Sequence, residues 1–381
     1  MDFKKIRLYH LHKQNLIQKA DARYYSRLLV DHIGLHSTDY LTPYLSLWAR
    51  VKDFEPKSLF DDLNAPCNAL RMRAFRGTVF VIHRENLKHI LSGSKRFLAS
   101  IIKQNEKFLL RAGLDLLSIE QAVVKLLTHK NMLTGKEIKK QLPDHLIGEY
   151  FNYALRFLEF SGILVRTSQR HIADKIIRYG LMDECFPEIA AGDVNPDEAL
   201  KALVQKYIKK FAPISLEDLS WWLAITKTAT RQVLESLSEN VTSIDFNQQK
   251  YYMEKDDHER FQEFKLEDEP NPIVNFLPYE DHFPKAYSIR NWFLAEEVAP
   301  LVQKEGTIFL GQLFPSIWLN GEIIGGWEMN WVDKAKSEMK VAITEIHKKV
   351  NLSQQINQLI ERQRQELENF VNEKLVPLMN K

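Results

Sequence analysis

The chain has 381 residues, of which 45% are hydrophobic and 27% are charged. This composition excludes a disordered chain, a collagen and a disulfide scaffold. The sequence contains no apolar run of about 18 residues that could span a membrane. Its first residues lack the apolar core of a secretory signal and its two cysteines lie far apart, which favours a cytoplasmic protein with reduced thiols. The net charge of +2 hides an asymmetry, because residues 1–111 hold 20 Lys and Arg against 10 Asp and Glu, whereas the remainder holds 32 against 40.

Residues 1–112 are predicted to form helices followed by a two-stranded hairpin. Apolar residues at helical spacing and a first-turn proline after Glu55 predict the helices. Alternating apolar and basic residues over 69–76 predict a strand, and the β-branched run over 79–82 predicts its partner. A helix is predicted over 84–91. Helices followed by a two-stranded wing are the element order of a winged helix.

The same element order recurs in residues 113–190 and again in residues 191–255. In the first recurrence a capping box, Thr134 with Glu137, begins a helix, and strands are predicted over 163–166 and 171–172. In the second recurrence Ser215 caps a helix, and strands are predicted over 241–246 and 250–253. No literal sequence repeat accompanies this order.

Residues 256–332 are predicted to form a β-rich module after a charged linker. Asn320-Gly321 between apolar residues is typical of a type I′ hairpin, and 308–310 and 316–319 are strand-like. Gly325-Gly326 indicates a bulge or close packing.

Residues 333–381 are predicted to form a helical tail, which either packs across the other modules or forms a coiled coil. The predicted fold class is therefore α+β, with three tandem winged-helix modules, a β-rich module and a C-terminal helical tail.

Several separated strings resemble one family when they are taken in order. They are Gly34–Asp39 leading into Leu45–Arg50, Phe75–Thr78, Ser220–Trp222, Leu277–Asp281 with Ala286–Arg290, and Ile317–Gly321 with Ile324–Trp327. Together they resemble the tandem winged-helix proteins of the AlkZ type, bacterial DNA glycosylases that remove alkylated purines and unhook crosslinks. The resemblance spans residues 20–330. It implies three winged helices and a β-rich C-terminal module around a concave DNA channel.

This chain departs from the family at the catalytic signature. His36 and Thr38 occupy the positions of two glutamines in the active glycosylases, and a related branch has Gln and Asp there. Phe80 stands where many relatives place a histidine after the Arg-Gly-Thr string. The resemblance therefore implies the fold and DNA binding more directly than it implies catalysis.

The chemistry of base release still permits a role for these residues. An alkylated purine is already a cationic leaving group, so the enzyme must hold the nucleotide, place a water and stabilise positive charge. His36 could accept a proton, Thr38 could orient the water, and the carboxylate of Asp39 could stabilise the cation. The alternative is that His36 is an N-terminal helix residue with a satisfied ring and that Asp39 is a helix cap before Leu41, because Ser, Thr and Asp are common at helix starts.

The basic N-terminal third suggests a surface that binds a polyanion. Arg71, Arg73 and Arg76 alternate with apolar residues, so we expect their guanidinium groups to project from one strand face and to pair with phosphates. The alternative is an exposed edge strand that is kept soluble by its charges.

Further candidates for DNA contact are weaker. Arg50, Lys95 and Arg96 belong to the same basic region. Tyr287 and Arg290 belong to a family string, and the sequence leaves open whether they face DNA or the core. The pair Trp221-Trp222 is expected to lie in a helix core rather than to stack on bases.

The sequence predicts a cytoplasmic, monomeric protein that binds double-stranded DNA and hydrolyses the N-glycosidic bond of alkylated purines. It contains no phosphate-binding glycine loop, no His-Glu-x-x-His motif and no paired cysteine ligands, so no metal and no cofactor are expected. Two alternatives remain: a non-catalytic winged-helix protein that has lost the glycosylase residues, and a protein that shields damaged DNA without cleaving it.

Overall fold

The structure is a computed structural model. It describes residues 2–64, 68–130, 132–190, 194–265, 271–303, 311–350 and 352–379, with the exception of the side chains at 94–98, 100, 101 and 190. The predicted strand at 308–310 lies outside the described residues.

Within its described residues, the first unit contains four α-helices and three strands. Its elements are α1 (Phe3–Lys13), α2 (Tyr25–Asp31), β1 (Leu35–His36), α3 (Thr42–Arg50), α4 (Pro56–Asn64), β2 (Ala69–Arg73) and β3 (Val79–His83). Strand β3 pairs antiparallel with both β1 and β2, so the hairpin and the short first strand form one sheet.

A long helix, α5 (Arg84–Arg111), connects the first unit to the second. The predicted helix over 84–91 stopped too early. The helix continues past Gly93, which lies against a later helix so closely that a Cβ there would be 2.9 Å from Leu203 Cδ1 and 3.1 Å from the Leu200 nitrogen. This glycine allows close helix packing instead of ending the helix.

The second unit repeats the order of helix, strand, two helices and hairpin. Its elements are α6 (Leu116–Lys130), β4 (Leu133–Thr134), α7 (Gly135–Gln141), α8 (Phe151–Phe160), β5 (Leu164–Thr167), β6 (Arg178–Leu181), α9 (Met182–Cys185) and α10 (Pro187–Ala190). The capping box is confirmed, since the Glu137 nitrogen donates to Thr134 Oγ1 at 3.2 Å and the Thr134 nitrogen donates to Glu137 Oε2 at 2.7 Å.

The second wing strand lies later in the chain than predicted. The sequence placed it at 171–172, but the strand is β6. The intervening loop is held by Asp174, whose carboxylate accepts hydrogen bonds from the backbone nitrogens of Arg170 and Ile176 and from Arg178 Nη1. The apolar pair at 171–172 could not predict this loop, because the length of the loop depends on the contacts of the Asp174 carboxylate.

The third unit shows the same order again. Its elements are α11 (Pro196–Phe211), β7 (Ile214–Ser215), α12 (Leu216–Leu223), α13 (Lys227–Ser236), β8 (Val241–Phe246) and β9 (Gln249–Glu254). The expected cap at Ser215 is confirmed, because its hydroxyl accepts from the Asp218 nitrogen at 3.0 Å.

The C-terminal part contains a four-stranded sheet and a closing helix. Its elements are α14 (Lys255–Glu263), β10 (Val274–Leu277), α15 (Ala299–Val302), β11 (Ser316–Leu319), β12 (Glu322–Trp331), β13 (Met339–Ile346), α16 (Gln354–Phe370), a π-helical turn (Val371–Leu375) and α17 (Val376–Met379). The strands pair in the order β10-β11-β12-β13. The predicted hairpin at Asn320-Gly321 is confirmed, with φ of 50° and 84°.

The tail is not wholly helical as the sequence suggested. Residues 339–346 form β13, so the sheet extends past the expected boundary at 332. Helix α16 buries Ile360, Leu367 and Phe370 against the main core, and the ring of Phe370 lies 5.9 Å from that of Trp48. This is the packing alternative of the two that the sequence left open.

Two hydrophobic cores hold these units. Among the described residues, the larger core includes buried residues of the first unit, the third unit, the C-terminal sheet and α16, together with Val165, Ile172, Met182 and Phe186 of the second unit. The other buried apolar residues of the second unit, with Leu109 of α5, form the smaller core. The sheets of the first and second units nevertheless join edge to edge in the order β1-β3-β2-β5-β6-β4, through the pairing of Arg71 with Arg166. Within the described residues, no helix is both long and apolar enough to cross a membrane.

The close packing at Gly325 yields a stability prediction. A Cβ on Gly325 would lie 2.2 Å from the backbone carbonyl oxygen of Glu345, so Gly325→Ala must displace β13. We expect the substitution to lower the free energy of unfolding by about 1–3 kcal/mol in urea denaturation. Gly135→Ala is the control, because its Cβ would meet side-chain atoms rather than backbone, Leu155 Cδ1 at 3.3 Å and Tyr179 Cε2 at 3.8 Å. Equal stability of the two variants would contradict the packing argument.

Candidate active site

The candidate catalytic residues lie where β1 ends. Pairing with Phe80 on β3 holds His36 in the sheet, and its side chain is buried against the Phe80 ring at a centroid distance of 5.1 Å. Thr38 and Asp39 follow the strand and are exposed. The carboxylate of Asp39 accepts a hydrogen bond of 2.9 Å from the nitrogen of Leu41, the residue before α3. The capping alternative is wrong, because α3 has no side-chain cap and His36 lies in a strand. The strand end thus presents one buried and two accessible candidates.

A buried carboxylate from the C-terminal part faces His36. Glu280 Oε2 lies 3.5 Å from His36 Nε2 and 3.0 Å from Lys285 Nζ. The other carboxylate oxygen, Oε1, accepts a hydrogen bond from the Leu313 nitrogen at 3.2 Å. The geometry thus brings a histidine, a carboxylate and an amine from two distant parts of the chain into one buried group.

The environment of His36 opposes the protonation that the sequence suggested. Burial lowers the pKa of His36 well below its usual value, and the neighbouring charges of Lys285 and Arg76 lower it further. Neither ring nitrogen has a hydrogen-bond partner among the described residues. The imidazole is therefore neutral at neutral pH and can accept or donate a hydrogen bond without carrying charge.

Three cationic side chains surround the indole of Trp221. The guanidinium of Arg76 lies 3.6 Å from the ring centroid, that of Arg290 lies 5.6 Å away, and Lys285 Nζ lies 6.0 Å away. Burial lowers the pKa of Arg76 and of Arg290 to about 10 and that of Lys285 to about 8. Trp222 is buried, which confirms the expected position in a helix core for this residue. Trp221 is half-buried, and the three cationic side chains lie around its ring.

Two residues of this region adopt an uncommon backbone conformation. Arg76 has φ of 55° and Glu280 has φ of 56°, in the left-handed region that side chains other than glycine rarely adopt. Such outliers concentrate at functional sites, where the surrounding structure enforces them. Local sequence indicates no role for Glu280 or Lys285, although Glu280 belongs to one of the strings that carry the family resemblance.

The expected row of arginines does not form. Arg71 and Arg73 lie on β2, but Arg76 lies in the turn that follows the strand. Arg71 is buried and donates to Ser37 Oγ at 3.0 Å and to the Tyr40 carbonyl at 3.0 Å.

Arg73 is partly accessible, but it is also engaged within the protein. It donates to the Gly77 carbonyl at 2.8 Å and lies 3.6 Å from the carboxylate of Glu159. The edge-strand alternative is wrong as well, because β2 lies between β3 and β5 in the sheet. These arginines join structural elements, and their guanidinium groups do not form an open row.

Two further candidates for DNA contact lie in the protein interior. Arg50 is 1% exposed and forms a bidentate pair with Asp281, at 3.0 and 2.7 Å, which corrects the expectation that it contacts phosphate. Tyr287 is also buried, and its hydroxyl donates to the Phe211 carbonyl at 2.8 Å, so it faces the core rather than DNA. The side chains of Lys95 and Arg96 lie outside the described residues.

Arg290 is the member of the family string that remains near the site. It donates to the carbonyls of Tyr287 and Gly311 at 3.0 and 2.9 Å, while its Nη1 has no partner among the described residues.

Among the described residues, no group of three or more His, Cys, Asp and Glu is arranged to hold a metal ion.

Comparison with known proteins identifies the family. A model of the AlkZ-like DNA glycosylases matches residues 30–370. The chain belongs to the AlkZ-like DNA glycosylase family. Membership of this family gives the chain a role in DNA binding and DNA repair as a glycosylase.

The fold of the family is also evident in a solved structure. The Streptomyces sahachiroi DNA glycosylase AlkZ superimposes with a TM-score of 0.76 at 15% sequence identity, and the match covers 100% of this chain and 98% of that one. Among proteins of curated function, none matches the sequence significantly. The mixed helix and strand architecture is therefore that of this solved AlkZ structure.

The burial of Arg50 leads to a prediction that separates a structural role from DNA contact. Arg50→Ala leaves the Asp281 carboxylate buried and unpaired, so we expect the free energy of unfolding to fall by about 3–5 kcal/mol. Urea denaturation measures this. Arg362→Ala is the control. The side chain of Arg362 is 74% exposed in a surface pair with Glu366, so its removal should change the free energy of unfolding by less than about 1 kcal/mol. Wild-type stability of the Arg50 variant would contradict the pairing.

The buried histidines lead to a prediction about pH. Burial lowers the pKa of His10, His32, His36 and His282 well below the usual value. Below about pH 6.5 the unfolded chain therefore binds more protons than the native protein. As the pH is lowered through this range, each histidine lowers the free energy of unfolding by up to about 1.4 kcal/mol per pH unit.

Urea midpoints measured between about pH 7 and about pH 5.5 check this prediction. His36→Asn removes one of these histidines. It should therefore reduce the change in the free energy of unfolding per pH unit by at most the contribution of one proton, about 1.4 kcal/mol. A midpoint that does not change over this interval would argue against neutral buried histidines.

Proposed function

We propose that this protein hydrolyses the N-glycosidic bond of alkylated purines in double-stranded DNA, at the end of β1. The observation that carries the proposal is the arrangement of exposed Thr38 and Asp39 directly after His36, whose ring faces Glu280. The proposal extends the family's glycosylase role to one class of lesion and to these residues.

The proposed chemistry divides the work between accessible and buried groups. The leaving base is already cationic, so no strong acid is needed. The carboxylate of Asp39 stabilises the positive charge that develops on the sugar, and the hydroxyl of Thr38 orients the attacking water. Neutral His36, held against Glu280, maintains the conformation of the strand end and offers a hydrogen bond without repelling the cation.

The DNA backbone is proposed to contact the basic part of the chain around α5. This helix carries seven Lys and Arg against two Glu in its 28 residues, which supplies half of the positive excess of the N-terminal third. At 1.5 Å per residue it is about 42 Å long, which matches more than one turn of DNA. The proposed contributors to this surface are Lys95 and Arg96 of this helix, with Arg76 and Arg290 beside Trp221.

The architecture proposed for this role is three tandem winged helices. Each of the units spanning 25–83, 116–181 and 196–254 has the order helix, strand, two helices and hairpin, in which the short strand pairs with the second hairpin strand. We further propose a cytoplasmic monomer that needs no cofactor, as the composition and the motifs of the sequence suggest.

A second candidate function is a non-catalytic DNA-binding protein of the same fold. It is favoured by the buried, neutral state of His36 and by the hydrogen bond that Asp39 makes to the Leu41 backbone. Both observations suit structural residues at a strand end. In this case the protein would bind alkylated DNA and leave the glycosidic bond intact.

Base release from DNA that contains N7-methylguanine tests the two candidates. We expect release above spontaneous depurination, and Asp39→Asn should slow it by about a hundredfold or more because it removes the carboxylate charge. The matched control is Asp61→Asn, an exposed carboxylate of the same unit that should leave the rate unchanged.

Two outcomes would reject the catalytic proposal. Wild-type protein that binds this DNA with no release supports the non-catalytic candidate. Wild-type rates in the Asp39 variant would remove Asp39 from the mechanism.

A further inference from the structure

A cavity of about 600 Å³ opens beside Asp39, between the start of α3 and the C-terminal sheet. Its volume lies within the range of about 300–1,000 Å³ that is typical of sites for small organic ligands. Tyr279 and Phe314 contribute aromatic rings to its wall, at a centroid distance of 5.8 Å, and buried Trp327 lines it as well.

The charge of this cavity is one-sided. Asp39 and Glu328 are its charged lining residues, both are exposed, and none of the described residues that line it is Lys, Arg or His. A second cavity of about 600 Å³, between α1 and α16, has the opposite character: Lys19 and Lys265 line it, and none of its described lining residues is Asp or Glu. The cavity beside Asp39 therefore favours a cation, and the other does not.

The backbone at 279–280 joins this cavity to the candidate active site. Tyr279 lines the cavity, whereas the next residue, Glu280, extends to His36 and Lys285. The Tyr279 carbonyl accepts a hydrogen bond of 2.8 Å from Thr42 Oγ1 of α3, which connects the two walls. A nucleotide whose sugar lies at Asp39 can thus place its base in the cavity.

We propose that this cavity binds the extruded base of an alkylated purine nucleotide and selects it by its positive charge. This inference rests on the proposed function and names the subsite that recognises the lesion. Enzymes that act on one base commonly rotate it out of the duplex into such a pocket. A purine alkylated on N7 or N3 is cationic, so it gains from the two carboxylates and from the faces of the aromatic rings, whereas an unmodified purine gains only from stacking.

The cationic residues near Trp221 complement this selection. Arg76, Lys285 and Arg290 lie on the Glu280 side of the segment, where they suit phosphate and repel a cationic base. The anionic cavity lies on the Tyr279 side. The two sides therefore separate the anionic backbone of the nucleotide from its cationic base.

Nucleoside binding by the full-length protein tests the cavity without requiring catalysis. Isothermal titration at mildly acidic pH compares 7-methylguanosine, which is then cationic, with guanosine. We expect the methylated nucleoside to bind about three- to thirtyfold more tightly. Equal affinities would overturn the proposal.

Two variants assign the preference to this cavity. Glu328→Gln removes one carboxylate and should lower the preference several-fold, and Phe314→Leu removes one ring and should weaken binding of the cationic nucleoside. Glu338→Gln is the matched control, because Glu338 is exposed, directly precedes β13 and does not line the cavity. Identical effects of the two glutamate variants would contradict the assignment.

The parallel base-release assay distinguishes failure of this inference from failure of the proposed function. If the protein prefers the cationic nucleoside, if Glu328→Gln reduces this preference and if no base is released, the cavity proposal stands and the catalytic proposal is rejected. Base release without that preference retains catalysis and rejects the cavity.

Discussion

The buried ion pair between Arg50 and Asp281 is the contact on which the site depends. It joins α3 of the first unit to the segment that follows β10, across 231 residues of sequence. Asp281 also accepts hydrogen bonds from Ser46 Oγ at 2.6 Å and from the Phe283 nitrogen at 3.0 Å, so its charge is well satisfied. Because Glu280 precedes Asp281, the same contact holds Glu280 against His36. A buried pair of this kind costs desolvation, and its value here is that it specifies one arrangement of distant segments.

Burial also determines the electrostatics around the site. It holds His36 neutral and lowers the pKa of Lys285 to about 8, while Thr38 and Asp39 remain accessible. The accessible carboxylate of Asp39 is therefore the charged group that the proposed chemistry uses to meet a developing cation.

Several features could be predicted from local sequence. The capping box at Thr134, the cap at Ser215 and the hairpin at Asn320-Gly321 each depend on residues within a few positions of one another, and all three are present. Helices followed by a hairpin are present in each of the three units. Errors arose where distant contacts set the limits of an element, as with α5, which continues through Gly93 because that residue packs against α11. The strand β13 was missed because its partner, β12, defines it.

The sequence by itself determined the family resemblance, the basic N-terminal third and the positions of the candidate residues after β1. These are properties of composition and of short strings, which need no knowledge of distant contacts. Only the tertiary structure decided which of the arginines are available: Arg50 and Arg71 are buried among partners from elsewhere in the fold, and Arg76 lies over Trp221. It also brought Glu280 to His36 and gave the cavity beside Asp39 its anionic lining. The reason is physical, because exposure, pKa and charge complementarity depend on neighbours in space, and here those neighbours lie far apart along the chain.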